Sequence, residues 1–370
     1  MAKNRKDSTT AIKAVCAIVF ILFSFSYIYF YQTPTLTYEQ HILSGGVTVY
    51  HPFISAVIIA VVGMIVQFFI NNICRLTSGC HALTFFPSMA LLAFLACGEN
   101  DGNGGLVAGN SIWIIAGSLL IYFAVMFAVR KMSPPAKLPK EPFLLSKELT
   151  LNLCVMALMM FFVIRNSNND RLLHRQVVAE KQLVAQDYEN LAKEGQNREG
   201  YSYPETNPTL TLLRYIALDK RGELAEKLFT QPVIGSTASL CRLEGITPLI
   251  VRKKMLSRYK GFDYHLCAFL CDKDLDSFAC LLTDSIDISK PGICDSLPIH
   301  YREALVLYRH QRSNPVSVYN DSIVEADYND LQQMMRSSKT ENLRRDNLRR
   351  NYQTTYWNYY YTMQSKLKSK

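Results

Sequence analysis

Five apolar runs, almost free of charge, occupy the first 164 residues: 14–31, 53–70, 82–97, 112–129 and 149–164. A bilayer core about 30 Å thick asks for roughly 20 apolar residues in helical conformation. The runs are 16–18 residues long, and flanking aromatic and hydroxyl side chains extend them into the interface. Any one of them reads equally well as a buried core helix. Five in succession do not, so the segment reads as a membrane domain.

The basic residues set the direction of the spans. Lys3, Arg5, Lys6 and Lys13 precede the first run, Arg75 follows the second, and Arg130, Lys131, Lys137, Lys140 and Lys147 precede the fifth. The alternate loops, 32–52 and 98–111, contain no Lys or Arg. Cytoplasmic loops carry the excess of Lys and Arg. The pattern therefore places residues 1–13 in the cytoplasm and, after five crossings, residues 165–370 outside it. His81 and Pro87 interrupt the third run, but omitting that span would break the charge alternation. The basic start and first run also resemble a signal peptide. The run is long for one, and its end, Ser26-Tyr-Ile-Tyr-Phe-Tyr31, lacks a small-x-small cleavage pattern; it reads as an uncleaved span.

Polar groups fit for chemistry are few here. The outward loops hold Glu39, His41 and His51, then Glu99 and Asp101 in a Gly- and Asn-rich stretch. Asp101-x-Asn103-x-Gly105 resembles the start of a calcium loop, but Ile112 stands where the bidentate acid belongs; a flexible turn is the simpler reading. Thr37-Tyr-Glu-Gln40 fits a capping box opening a short interfacial helix. Within the runs Asn152 is the main polar side chain, too little for an ion or proton relay.

The mean hydropathy of +0.03 averages two unlike halves. Residues 1–164 carry ten Lys/Arg and six Asp/Glu; residues 165–370 carry thirty and twenty-five, giving +4 and +5 of the total +9. Neither balance asks for nucleic acid, and the Arg344-Arg345 and Arg349-Arg350 pairs read as a solvated helix face. The polar half is helix-patterned. Leu173, Val177, Val184, Tyr188 and Leu191 recur at helical spacing over 171–191, and Gly195–Asn207 reads as a loop. Asn207-Pro208 opens a helix that turns at Lys220-Arg-Gly222 into a second one. A similar hairpin recurs at Phe262–Leu270 and Leu275–Leu282, with Ala225 and Ala279 in equivalent places. Ser296-Leu-Pro298 opens another helix, and Ser322–Glu325 and Ser338–Glu341 read as capping boxes for two more.

No CxxC, phosphate loop, dinucleotide fingerprint or Ser-His-Asp set is present, and no cofactor or metal is expected. Of the ten cysteines, Cys16, Cys97 and Cys154 sit in apolar runs. Cys267 and Cys271, with His265, Cys280 and Cys294, leave a metal, a Cys280–Cys294 bond or buried free thiols open, the last being simplest. His300 and Glu303 share a helix face; with no nucleophile nearby they read as a polar contact.

Two segments carry a resemblance: Leu297-Pro-Ile-His-Tyr-Arg-Glu-Ala304-Leu-Val-Leu-Tyr308 and Thr354-Thr-Tyr-Trp-Asn-Tyr-Tyr360. On these the chain is similar to an uncharacterised family of multi-pass inner-membrane proteins of Bacteroidota with a C-terminal helical-repeat region. The resemblance implies an inner-membrane protein with a periplasmic helical domain, and no activity. The hairpins also resemble tetratricopeptide repeats in outline, but Gly222 and Ala225 are three apart, where that repeat expects about twelve.

The expectation is an all-α protein: a cytoplasmic start (1–13), a membrane domain of about five transmembrane helices (14–164), and a soluble stack of helical hairpins of the solenoid, tetratricopeptide-like type (165–370). Its expected role is an extracytoplasmic scaffold that contacts membrane lipids and binds a protein or peptide. The alternative is a membrane enzyme acting on a lipid-linked sugar, with Glu39, Glu99 and Asp101 as its acids.

Overall fold

A computed structural model describes residues 2–74, 76, 78–132, 147–194, 207–229, 246–287, 296–316 and 318–362. Arg75, Lys137, Lys140, Cys294 and most of the expected loop Gly195–Asn207 lie outside the described residues. Among the described residues the chain is all-α apart from one small hairpin. It divides into two compact units, Met1–Val177 and Val178–Lys370, so the divide falls a dozen or so residues beyond the last apolar run.

In the first unit α1 (Ala2–Ser26) continues as a π-helical turn, Tyr27–Tyr31. Then come α2 (Thr33–Leu43), α3 (Pro52–Cys74), a 3₁₀ segment (Ser78–Phe85) leading into α4 (Phe86–Leu95), the antiparallel pair β1 (Gly98–Asn100) and β2 (Leu106–Ala108), α5 (Ser111–Met132) and α6 (Lys147–Asn166). Four segments are long and apolar enough to cross a membrane: Thr10–Tyr31, Pro52–Cys74, Ser111–Ala128 and Lys147–Asn166. Leu22, Phe53, Phe68, Leu120, Phe127 and Leu158 stand exposed on them. Water would not support such a surface; lipid does.

The segment expected to be the third span, 82–97, is built differently. Its apolar stretch, Gly79–Leu95, is shorter than the other four and joins a 3₁₀ part to the α-helical α4. It nevertheless runs beside α6 from end to end. At one end Asn152 Oδ1 accepts the Ala82 N–H at 2.6 Å and its amide donates to the Gly79 carbonyl at 3.3 Å. At the other, the Asn168 N–H donates to the Ala96 carbonyl at 2.6 Å. A 3₁₀ helix rises about 2.0 Å per residue against about 1.5 Å for an α-helix, so fewer residues cover the same length. Ser88, Met89, Ala90, Leu92 and Ala93 are buried, which places α4 inside the bundle.

Polar side chains also lock α3 to this central segment. Ser88 Oγ donates to the Gly63 carbonyl at 2.6 Å and Gln67 donates to Thr84 Oγ1 at 3.0 Å. Later residues of α3 meet earlier ones of the partner, so the two run antiparallel. A Cβ on Gly63 would lie 2.6 Å from the Phe20 ring, so only glycine lets α1 and α3 approach this closely. Gln67 is thus buried in the bundle, as are Ser24, Thr84, Ser88 and Asn152.

The Thr37–Gln40 capping box is not formed. α2 starts at Thr33, with Pro34 in its first turn, and Thr37 Oγ1 donates back to the Thr33 carbonyl at 2.7 Å. Proline fixes φ at a helix start, and this signal overrides the box.

The helix expected over 171–191 is broken. α7 (Arg171–Val184) ends, Gln186 takes φ +59°, and Asp187 caps α8 (Tyr188–Ala192) through the Asn190 N–H. In the second unit follow α9 (Pro208–Lys220), α10 (Leu224–Lys227), α11 (Lys253–Leu256), α12 (Phe262–Asp272), α13 (Leu275–Ser285), α14 (Ile299–Gln311), α15 (Ser322–Ser337), α16 (Glu341–Asn351) and α17 (Tyr356–Thr362). Asn207 caps α9 as expected, accepting the Leu210 N–H at 2.8 Å. Two other caps shift. Asp321, not Ser322, caps α15, because its carboxylate accepts the Ile323 and Val324 N–H groups while Glu325 turns to Arg309 and His310. Thr340, not Ser338, caps α16, and Ser338 donates back to the Met334 carbonyl at 2.8 Å.

Sequence neighbours pack in order, α8 on α9, α9 on α10, α12 on α13, and so on to α16 on α17. Ala225 and Ala279 are both buried at their hairpins. Other contacts reach past sequence neighbours: α9 and α10 both pack against α12, and α10 and α17 both pack against α14. An open solenoid would have neighbour contacts alone; here α14 is a hub.

Candidate functional site

Two polar constellations stand out, one in each unit. The first lies at one end of the helical bundle, where α1, α4 and α6 all finish. Gln32 donates to the Tyr27 hydroxyl (2.9 Å) and to the Asn168 carbonyl (3.0 Å), and Asn168 donates to the Gly98 carbonyl (2.6 Å). Thr35 Oγ1 lies 2.9 Å from His174 Nε2. Tyr38 donates to the Gly105 carbonyl at 2.8 Å; burial, helped by the charge of Asp101, pushes its phenol up to about 12. The stretch Asn166–Asp170 supplies the bonds that join three helix ends.

The three candidate acids do not converge. Glu39 is half-buried on α2, and its Oε1 accepts the Gly98 N–H at 2.9 Å. A Cβ on Gly98 would lie 2.3 Å from that oxygen, so the glycine is required by the contact. Burial pushes the Glu39 carboxyl up to about 7, with the Gly98 bond opposing. Glu99 is exposed and folds over Gly109, where an added Cβ would lie 2.2 Å from its Oε1. Asp101 is exposed and closes its own turn, accepting the Asn103 and Gly105 N–H groups at 2.7 Å each. An acid that satisfies its own backbone in this way is a turn former. Glu39 opens on a cleft, about 350 Å³ in volume and lined by Leu36, Gln40, Leu43, Ser44 and Tyr50 besides itself.

The second constellation joins the two segments singled out by resemblance. His300 and Glu303, on α14, are both buried, with His300 Nδ1 3.0 Å from Glu303 Oε2. The same oxygen accepts the Tyr356 N–H at 2.7 Å, the first N–H of α17, and the Trp357 indole donates to the Glu303 carbonyl at 2.9 Å. Carboxylates are favoured at helix N-termini. Tyr356 and Tyr359 then donate to the Leu270 and Cys271 carbonyls, satisfying the end of α12. Phe229 packs edge-on against His300 at 5.2 Å. The Leu-Pro-x-His-Tyr-x-Glu-Ala and Thr-Tyr-Trp segments, some fifty residues apart, are therefore two halves of one buried clasp.

Other charged groups in this unit hold backbone. Glu180, fully buried, accepts the N–H groups of Leu249, Ile250 and Val251 at 2.6–3.1 Å. Asp219 accepts those of Gly261 and Tyr264 at the start of α12; burial raises its carboxyl despite these bonds. Neither role is visible in the sequence, because each partner is a distant backbone N–H. Cys267 and Cys271 are buried and Cys280 is exposed, and none of the three is in a disulfide. Burial pushes the Cys267 thiol up, against a weak contact with the Tyr301 hydroxyl at 3.7 Å. Among the described residues no three His, Cys, Asp or Glu side chains are placed to hold a metal.

An open polar cleft of about 510 Å³ lies between α14 and α15, lined by His310, Tyr328, Asn329, Gln332, Gln333 and Arg336. Residues 329, 332, 333 and 336 fall at i, i+3, i+4 and i+7, one face of α15.

No curated protein and no solved structure matches the chain. Residues 255–363, the stretch that contains both halves of the clasp, match the model of a family of unknown function, DUF6057.

Proposed function

We propose that the protein is a membrane-anchored helical scaffold that holds a protein or peptide segment in the cleft between α14 and α15. The cleft carries this reading. Asn329, Gln332 and Gln333 each offer a donor and an acceptor, the pairing an extended peptide backbone presents, and Arg336 adds a fork for a carboxylate. The tetratricopeptide-like outline of the hairpins agrees with such a role. The scattering of Glu39, Glu99 and Asp101 speaks against the shared chemistry an enzyme would need.

We place the helical unit outside the cytoplasm, in the periplasm of a cell with an inner membrane. The charge alternation supports five crossings, as does the match in length between the 78–95 segment and α6. Lipid-facing side chains on α1, α3, α5 and α6 supply the membrane contacts.

The test is capture of partners from detergent extract with the full chain and two variants. Asn329→Ala, Gln332→Ala and Arg336→Ala combined should abolish retention of the partner bound by the wild type. Glu39→Ala, Glu99→Ala and Asp101→Ala combined should leave it intact. The reverse pattern, with normal expression, favours the second reading, an enzyme on a lipid-linked sugar. One observation keeps that reading in view: Glu39 is half-buried, lines a cleft, and titrates near neutrality.

A further inference from the structure

We infer that Glu39 and its cleft bind the primary ammonium headgroup of a membrane lipid. This is independent of the partner-binding reading above, since it concerns the other unit.

Glu39 has one oxygen on the Gly98 N–H, and among the described residues no Lys or Arg pairs with it. A half-buried carboxylate without a cation is costly, so it either keeps a proton or recruits a positive group. The surroundings favour recruitment. The loops 32–52 and 98–111, both at this end of the bundle, contain no Lys or Arg, whereas Glu99 and Asp101 add negative charge. Gln40 and Ser44 bring further oxygen acceptors to the cleft, and a primary ammonium has three N–H donors to satisfy.

The flanks say what carries the ammonium. Leu36 and Tyr50 form an apolar wall with Leu43, and Leu43, Val47 and Val49 of the same loop stand 79, 85 and 74 % exposed. These residues lie outside the spans yet project apolar surface, as segments seated in the headgroup region do. A soluble amine would gain nothing from them; a lipid would lay its chains there while its headgroup reached Glu39. A quaternary headgroup has no N–H to give the carboxylate and fits poorly.

The test uses the full chain in a maltoside detergent at pH 8, with short-chain phosphatidylethanolamine and phosphatidylcholine of identical tails, binding being read by native mass spectrometry. The expected result is at least a tenfold preference for the ethanolamine lipid. Glu39→Gln should lose that preference, because its amide oxygen can still accept from Gly98 but carries no charge; Asp101→Asn should keep it. Should Glu39→Gln fail to fold, Glu39→Ala serves instead. Equal binding of the two lipids by the wild type, an unchanged preference in the folded Glu39 variant, or full competition by free ethanolamine at equal concentration would overturn the proposal.

Discussion

Glu39 and Glu303 show how one residue type takes opposite roles according to its partners. Glu39 has a single N–H bond, and its carboxyl rises from an ordinary value near 4.5 to about 7. An acid raised on folding favours the folded state while protonated. That contribution is complete below about pH 4.5 and is lost as pH climbs through about 7. The melting temperature in a lipid-free maltoside detergent should therefore fall between pH 5 and pH 8, and Glu39→Gln should flatten the slope; an equally steep variant would remove Glu39 as its source. Glu303 instead anchors a helix. Glu303→Ala leaves the Tyr356 N–H and the buried His300 without their partner, which should cost about 2–4 kcal/mol. The chain has two tryptophans, and Trp113 is 78 % exposed on the lipid face whereas Trp357 is buried in the clasp. In a Trp113→Phe background, Trp357 emission should shift to the red at lower urea in the Glu303 variant. An unmoved midpoint would show that the clasp does not hold α17. The i, i+3 spacing of His300 and Glu303 is legible in the sequence; their burial is not, since it depends on α17 arriving from fifty residues away.

Among the elements, the long apolar helices and the Asn207 cap are plain from sequence, because period and capping are local. The 3₁₀ segment is not. Its geometry rests on Asn152, a residue of a different helix, which holds the Ala82 N–H, the Gly79 carbonyl and the Glu148 carbonyl at once. The same dependence on distant partners explains the misplaced caps at Ser322 and Ser338, where a neighbouring Asp or Thr won the contest for the first N–H groups. Asn152→Leu fills similar volume but orphans those groups, at a cost of about 1–3 kcal/mol. Cys80, half-buried in the 3₁₀ segment, should then react several-fold faster with a maleimide in isolated membranes. Unchanged labelling would mean that the segment keeps its shape without Asn152.

For the whole molecule, everything functional depends on which side of the membrane each unit occupies. Four helices are long and apolar enough to cross a membrane, an even number that by itself would return residues 178–370 to the side where the chain starts. On the topology we propose, the 78–95 segment is a fifth crossing; it accompanies α6 from Gly79 beside Asn152 to Ala96 beside Asn168. The sequence marked this segment as the least regular span, and the reason is physical: a 3₁₀ stretch with Pro87 behind it has no clean helical period to read. The most direct measurement is a pair of fusions after Lys370 in a bacterial host, alkaline phosphatase and green fluorescent protein. Five crossings predict an active phosphatase and a dark fluorescent protein; a fluorescent fusion with an inactive phosphatase would put the helical unit in the cytosol and contradict them.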